Sequence, residues 1–311
     1  MPRLNADDSE RMAAMLSCMN SELKQATLLM LGEYPQTGHE IRNYLAASVS
    51  PSTVANLPSR DTFRGYCANT FSKHGIVEVE GGHFCLSDAG ERYGKPIAAF
   101  SLRYAVDSGR SLYEVFGPTY SSGGSRSPGN RARILEKLAE GCGQIARLEK
   151  ELGLDRASVR THLRQLQSIG LAAFEPPKIA ICKSGLSALK GYIEPVKNAL
   201  KDGQELGHMQ RLLREFERDE RLFRKYLSRG IELYRKASSS MNRQDAEDRA
   251  HELLEFIHKY YGAHGIGPSP RDAEKALEWT HGNVKWYLKS LLEKGRVERE
   301  MSNDKIRYRA R

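Results

Sequence analysis

Three arginines spaced four residues apart are the side chains best suited to binding chemistry in this chain. Arg156, Arg160 and Arg164 share one face if their stretch is helical, because residues four apart are neighbours on a helix. Guanidinium groups bind phosphates and can donate two hydrogen bonds to O6 and N7 of guanine. The hydroxyls of Ser158 and Thr161 lie on the same stretch. These five residues therefore predict a nucleic-acid-binding face.

A second basic set lies near the C-terminus. Its helical part occupies positions that match the first set, and it consists of His281, Asn283, Lys285 and Lys289. Its strand-like part alternates basic and other residues, and it consists of Lys305, Arg307, Arg309 and Arg311. Side chains two apart in a strand point to the same face, so all four would form one basic strip. Such a strip suits a phosphate backbone or a minor groove.

An internal repeat positions both sets. Residues 146–172 align without a gap with residues 271–297, at a constant shift of 125. The matching pairs are Leu152 and Leu277, Val159 and Val284, Leu163 and Leu288, Leu166 and Leu291, and Gly170 and Gly295. Each copy predicts a short helix, a turn with Asp155 or Thr280 as N-cap, and a second helix with an apolar face. A glycine then ends the helix, and short strands follow the middle copy.

This order of elements resembles the winged helix-turn-helix superfamily. The middle copy looks like ArsR- or MarR-type winged helices through L-x-x-x-L-G-L-D-x-x-S-V-R-x-H-L-R-x-L-x-x-x-G-L, residues 148–171. The C-terminal copy is similar to the winged helix that begins LexA repressors, through a first helix at 253–261, Gly-x-x-Pro-Ser-x-Arg-Asp at 265–272 and Leu-x-x-Leu-x-x-x-Gly at 288–295. The resemblance implies that DNA lies against the second helix of each copy.

A third, weaker copy is predicted in the N-terminal part. Its helices are expected at 23–33, 38–46 and 60–73, followed by a hairpin that turns at Gly81 and Gly82. Residues 1–128 carry 12 basic and 13 acidic side chains, whereas residues 129–203 carry 13 and 8. The hairpin itself carries Glu78 and Glu80, and acidic side chains repel phosphates. We therefore expect this part to add little DNA affinity, and either to pack on the rest or to bind a protein partner.

A helical connector is predicted at residues 185–238. Six apolar residues recur there at the 4-3 spacing of a coiled-coil seam, and they are Met209, Leu213, Phe216, Phe223, Leu227 and Tyr234. Two interpretations stay open: the seam joins two copies in a homodimer, or the helix packs back on residues 187–200. The remaining segments are an N-terminal domain at 9–116, a linker at 117–128, a middle domain at 129–190 and a C-terminal domain at 243–311.

Composition and motifs exclude several classes of protein. The 311 residues carry a formal charge of +9, which suits a polyanionic partner. No apolar run approaches the roughly 18 residues of a membrane span, and no secretory signal is recognised, so we expect a cytoplasmic, nucleoid-associated protein without a membrane partner. Five scattered cysteines and the lack of C-x-x-C predict reduced thiols and no metal site. No P-loop, G-x-S-x-G or H-E-x-x-H motif occurs, so we expect no enzyme, no catalytic residues and no cofactor.

The leading prediction is a mainly helical (α+β) protein of tandem winged-helix domains with small β wings. It would bind duplex DNA as a homodimer and act as a transcription regulator of prokaryotic or archaeal type. One alternative is a protein-interaction module of transcription or membrane-remodelling machinery, favoured by the neutral N-terminal part and by the bulky Trp286 and Tyr287. The other is a replication-initiation or chromatin-type protein that coats DNA with little sequence preference.

Overall fold

Helices make up most of the computed structural model, and its strands form three two-stranded antiparallel sheets. This confirms the mainly helical class with small β hairpins. The structure describes residues 16, 19–31, 35–55, 57–116, 129–175, 178–277, 279–302 and 305–310. The predicted linker at 117–128 lies outside these residues. Within the described part of the chain, every helix is too short or too polar to cross a membrane.

The chain divides into two compact units. The first comprises Met1–Pro118 and Pro128–Ser238, and the second comprises Thr119–Ser127 and Ser239–Arg311. The division falls within one long helix. Each unit has its own cluster of buried apolar side chains.

In the N-terminal part of the first unit, the described residues include six α-helices and one hairpin. They are α1 (Glu22–Met30), α2 (Gly38–Ser48), α3 (Pro51–Val54), α4 (Arg60–Tyr66), β1 (Val77–Glu80), β2 (His83–Leu86), α5 (Lys95–Ser108) and α6 (Leu112–Phe116). Thr37 and Glu40 start α2 as a capping box, in which each side chain accepts the backbone N–H of the other residue. The hairpin turns at Gly81 and Gly82, as predicted, and both have positive φ.

The middle part of the first unit contains three helices and a second hairpin, followed by more helices. They are α7 (Asn130–Ala139), α8 (Ile145–Leu152), α9 (Arg156–Ser168), β3 (Ala172–Glu175), β4 (Lys178–Ile181), α10 (Lys183–Ala188), α11 (Glu194–Asp202) and α12 (Leu206–Arg218). The next helix, α13 (Glu220–His264), carries the division between the units. The second unit continues with α14 (Pro270–Leu277), α15 (His281–Glu293), β5 (Val297–Ser302) and β6 (Lys305–Ala310).

A second repeat, at a shift of 95, relates the N-terminal and middle parts. The strands β1 and β2 begin and end 95 positions before β3 and β4, and Val77 pairs with Leu86 as Ala172 pairs with Ile181. After each hairpin a glycine packs on a backbone carbonyl. A Cβ on Gly90 would lie 2.1 Å from the oxygen of Ile76, and a Cβ on Gly185 would lie 2.2 Å from that of Leu171. Any side chain would displace the backbone at these two places.

The predicted segments 9–116, 129–190 and 185–238 do not form separate cores. Buried apolar residues from Leu16 to Ile231 belong to one cluster, because the helices that follow the two hairpins pack on each other. Tyr192 stacks on Phe100 and Tyr104, with ring centroids 6.1 Å and 5.2 Å apart. The extra helices therefore join the first two copies into one unit.

The prediction of a coiled-coil seam between two copies has to be corrected, because the seam residues lie in or against this core. The helix is interrupted at Asp219, between α12 and α13. The seam residues are buried or partly buried against the first unit's own cluster, and they are Met209, Leu213, Phe216, Phe223, Leu227 and Tyr234. The main packing partner of α12 is α5, rather than residues 187–200. Because the seam residues are buried or partly buried in the chain's own core, they do not form the exposed apolar row that a coiled-coil dimer needs.

A buried carboxylate joins α1 to the start of α6. Glu22 is fully buried, and its Oε2 accepts the hydroxyl of Ser111 at 2.8 Å while its Oε1 accepts the backbone N–H of Leu112. Burial raises the pKa of Glu22 from its ordinary value to about 7. An ionised Glu22 is therefore costly in the folded state, even with two hydrogen bonds.

Candidate nucleic-acid interface

The helix α9 carries the first predicted set, and its own sequence fixes where it begins and ends. Asp155 caps it by accepting the backbone N–H of Ser158 at 2.8 Å and the Ser158 hydroxyl at 2.6 Å. Gly170 ends the turn after it with a φ of 70°. Partial burial would raise the pKa of Asp155, but the hydrogen bonds from Ser158 hold it below its ordinary value. The cap is therefore ionised at neutral pH.

One face of α9 is buried and the other is open. Val159, Leu163 and Leu166 are completely buried, and each contributes about 1.5–3 kcal/mol by burial. Next to them, His162 is buried as well, and burial lowers its pKa to about 4. Rotating α9 about its axis would expose these apolar side chains to water at a cost in free energy, so their burial fixes which face of the helix points to solvent.

The five predicted binding residues of α9 lie on the open side. Arg156, Arg160 and Arg164 are exposed, whereas Ser158 and Thr161 are half-buried. In the described part of the chain, none of the three arginines forms an ion pair. The hydroxyl of Ser158 is occupied by the Asp155 cap. Three unneutralised guanidinium groups thus follow one another along about 12 Å of helix.

Other arginines of this region serve the scaffold. Arg110 donates to the carbonyl of Ile169 at 3.0 Å, which ties the segment after α5 to the end of α9. Arg133 donates to the carbonyl of Leu152 at 3.1 Å, and Arg131 donates to that of Glu114 at 2.6 Å. Arg147 pairs with Glu151 at 2.5 Å. The basic side chains of residues 129–203 are therefore unevenly available, and among its arginines those of α9 are the ones that neither pair with a carboxylate nor donate to a backbone carbonyl within the described residues.

The helix α15 is the structural counterpart of α9. Both α14 and α15 begin and end 125 positions after α8 and α9. Thr280 caps α15 by accepting the N–H of Asn283 at 3.4 Å, and Gly295 ends the turn after it with a φ of 65°. Val284, Leu288 and Leu291 form its buried face. The internal repeat predicted from the sequence is confirmed in the helix boundaries, the caps and the buried positions.

The basic residues of α15 are less available than those of α9. His281, Asn283, Lys285 and Lys289 are all exposed, as the sequence predicts. However, Nδ1 of His281 lies within hydrogen-bond distance of the Glu274 carboxylate, and Lys289 lies 3.8 Å from Glu293. Of the three positions that match the arginines of α9, two face an acidic partner. This helix is therefore the weaker candidate for binding phosphates.

The basic strip predicted on the last strand is not a free strip. Arg307 stands opposite Glu300 in the hairpin and donates to the carbonyl of Gly267 at 2.8 Å. Arg309 stands opposite Glu298, and its guanidinium lies 4.7 Å from the centre of the Tyr261 ring. Sequence reasoning missed this because a period of two says nothing about the partner strand. Arg311 and the side chain of Lys305 lie outside the described residues.

The N-terminal copy has a mixed surface. Arg60 and Arg64 are exposed on α4, at the positions that correspond to Arg156 and Arg160 when both helices are counted from their first residue. The hairpin after α4 exposes Glu78 and Glu80, as expected. A π-helical turn at Cys67–Phe71 adds one residue to this copy, which hid its relation to the middle copy in a gap-free alignment.

Sequence reasoning missed a group of exposed cations on the connector. Five of them lie on the two sides of the break at Asp219, on α12 and at the start of α13, and they are Arg211, Arg214, Arg218, Arg221 and Lys225. None of them forms an ion pair within the described residues. The signal was present in the sequence as a basic row beside the apolar one. In the part of the chain that the structure describes, no three His, Cys, Asp or Glu side chains are grouped to hold a metal ion.

The chain was compared with protein-family models, with curated proteins and with solved structures, and none of these comparisons returned a match. The function therefore has to be inferred from the geometry and charge of these surfaces.

Proposed function

We propose that this protein binds double-stranded DNA with the exposed face of α9, and that its three copies are winged-helix modules. The observation that carries the proposal is the row of unpaired arginines, Arg156, Arg160 and Arg164, on a helix whose opposite face is buried. A helix is about 10–12 Å across and the major groove is about 12 Å wide, so α9 fits the groove.

In the proposed contact, residues at the start of α9 lie near the base edges and residues further along it lie near phosphates. The N-terminal turns of such a helix lie nearest the base edges, which places Arg156 and Arg160 there. Thr161 can donate or accept a hydrogen bond beside them. Arg164, two turns along the helix from Arg156, is placed near the phosphate backbone. Phosphate contacts position the protein, whereas base contacts select the sequence.

The connector adds a second surface to the proposal. The exposed cations of α12 and of the start of α13 have the charge to meet phosphates beyond the groove that α9 occupies. We propose that the protein acts as a transcription regulator and binds as a homodimer. The buried seam leaves the dimer to use a surface other than the one predicted.

Fluorescence anisotropy of the full chain on a labelled random duplex, across a salt series, tests the proposal. The double variant Arg160→Glu with Arg164→Glu is expected to weaken binding at least about 30-fold, since it removes two charge-assisted contacts worth about 1 kcal/mol or more each and adds two anions that phosphates repel. The dependence of affinity on salt is also expected to become shallower, because fewer phosphates are neutralised.

The matched control is Arg235→Glu with Lys236→Glu. It makes the same change of net charge at two exposed positions of α13. If both double variants weaken binding equally, overall charge rather than α9 drives association. If the unaltered protein does not bind duplex DNA at low salt, the proposed function is wrong.

A protein-interaction module is the second candidate, and the N-terminal hairpin favours it. One face of β1 carries Glu78 and Glu80, which repel phosphates, and on the opposite face Val79 is 46% exposed and offers apolar contact. For the α9 face, site selection from random duplexes distinguishes a transcription regulator from a DNA-coating protein. A specific-to-nonspecific ratio above about 1,000 supports a regulator, and a ratio near one supports a DNA-coating protein.

A further inference from the structure

Trp286 is an unusually exposed tryptophan at the centre of the solvent face of α15. Its side chain is 59% exposed, although tryptophan is among the residues that gain most from burial. At the shift of 125, its position corresponds to Thr161 of α9. The two copies therefore differ most sharply at this position, where α9 has a small hydroxyl and α15 has a large aromatic surface.

The exposed indole is held in place by neighbouring rings. Its ring stands perpendicular to that of Tyr287, with centroids 4.7 Å apart. Tyr287 in turn contacts Trp279, which is 6% exposed, at 5.3 Å. This chain of aromatic contacts links Trp286 to the core of the second unit. An oriented ring loses little conformational entropy when a ligand stacks on it.

The surroundings of Trp286 are open and basic. Gly282 lies one turn earlier, and nothing is found within 4 Å of where its Cβ would be. Since side chains on a helix lean towards its N-terminus, Gly282 leaves space beside the indole. Lys285 and Lys289 are exposed on either side of Trp286 in the sequence. An aromatic platform flanked by cations matches the chemistry of an unpaired base and its phosphates.

Single-stranded nucleic acid fits this surface better than a duplex or a protein. The faces of paired bases are covered by their neighbours in a duplex, so an indole cannot stack on them without unstacking a step. Protein interfaces are depleted in lysine, which is the cation present here. We propose that Trp286 stacks on an unpaired base of single-stranded nucleic acid, with Lys285 and Lys289 near its phosphates. This goes beyond the proposed duplex binding by α9.

Tryptophan fluorescence of the full chain, titrated with a single-stranded oligothymidylate at low salt, tests the inference. The chain has two tryptophans, and Trp279 is buried, so a stacked base is expected to quench the emission of Trp286. Trp286→Ala is expected to abolish that quenching. In anisotropy with a labelled oligothymidylate it is expected to weaken binding about 5- to 150-fold, which corresponds to one stacked base. Trp286→Phe keeps an aromatic face and is expected to retain most of the affinity.

Two further measurements separate this inference from the proposed function. Trp286→Ala is expected to leave duplex affinity unchanged, and the Arg160→Glu, Arg164→Glu variant is expected to leave affinity for the oligothymidylate within about 3-fold. Because Trp286 is exposed, Trp286→Ala should fold, which circular dichroism checks. Unchanged oligothymidylate affinity in Trp286→Ala overturns the inference, as does an equal loss on both nucleic acids. The absence of quenching overturns it too, and then points to a protein partner at this surface.

Discussion

The helices α9 and α15 share one framework and differ in the surface they present. They have the same length, equivalent caps, and buried residues at the same three positions. On the open side, and within the described residues, α9 has three arginines without an ion pair, whereas α15 has a lysine without an acidic partner, a histidine and a lysine next to acidic side chains, and an exposed tryptophan. The comparison teaches that a repeat can preserve its packing while its binding surface changes.

The largest expected effect on stability comes from truncating a buried leucine of the framework that α9 and α15 share. Leu163→Ala and Leu288→Ala each delete a buried side chain at the same position of the repeat, and each is expected to cost about 2–5 kcal/mol. Urea unfolding followed by tryptophan fluorescence reports on the second unit, which contains both tryptophans. It should respond to Leu288→Ala alone, whereas far-ultraviolet circular dichroism should respond to both variants. Tryptophan emission that responds equally to Leu163→Ala would mean that the two units unfold together.

Glu22 is expected to make the stability of the first unit depend on pH. Its pKa is about 7 in the folded protein and about 4.5 when exposed, so the folded state binds the proton more tightly. Its contribution to the first unit's stability is therefore fully present below pH 4.5 and is lost as pH rises through 7. The expected loss is about 3 kcal/mol. Urea unfolding by circular dichroism at pH 5 and pH 8 measures it.

Glu22→Gln is the matched control for this pH effect. The amide oxygen can still accept one of the two hydrogen bonds from Ser111 and Leu112, but the side chain no longer titrates. The difference in unfolding free energy between pH 5 and pH 8 should shrink in this variant. An unchanged difference would mean that other groups carry the pH dependence.

Removing either N-cap should lower the free energy of unfolding by the same amount at pH 7, but the two caps should respond differently to acid. Asp155→Ala and Thr280→Ala are each expected to destabilise their unit by about 1 kcal/mol at pH 7. Because the pKa of Asp155 is lowered in the folded state, its contribution is present above its ordinary pKa of 3.8 and is lost as pH falls through the folded value. The Thr280 cap should not change over this range. Denaturant midpoints at pH 7 and pH 3 compare them.

The smallest effect is expected from charge reversal on α15. Lys285→Glu with Lys289→Glu should weaken duplex binding by less than about 3-fold, since Lys289 already has Glu293 as a neighbour and exposed charges are screened by salt. Anisotropy beside the Arg160→Glu, Arg164→Glu variant measures the difference. A loss as large as that of the arginine pair would show that both helices contribute equally to the duplex contact.

Several features of the fold were predictable because they depend on neighbouring residues. The spacing of Val159, Leu163 and Leu166 identified the buried face of α9, and Asp155 and Gly170 marked its ends. The turn at Gly81 and Gly82 followed from the freedom of glycine to adopt positive φ. The exposure of Arg156, Arg160 and Arg164 followed from the same helical period. These are short-range patterns that the sequence carries directly.

Other features depended on partners distant in the chain. The seam residues Met209 and Leu227 were correctly identified as apolar helix positions, but they lie on two helices separated at Asp219 rather than on one face. Only packing decided that α5 and the surrounding core cover them. Arg307 and Arg309 were correctly placed two apart on a strand, but the hairpin register put Glu300 and Glu298 opposite them.

By itself, the sequence determined the helices and caps of the repeat at a shift of 125 and the turn of the first hairpin, because each rests on contacts within a few residues or on direct identity between copies. It did not determine the connector, which was predicted as one helix over 185–238 but is broken at Asp219 and continues as α13 to His264. Only the tertiary structure decided which charged side chains are neutralised, which apolar faces are covered, and that the first two copies share a core. Those outcomes depend on which residues meet across the fold. A linear pattern states what a face can bind, but not whether the chain itself already occupies it.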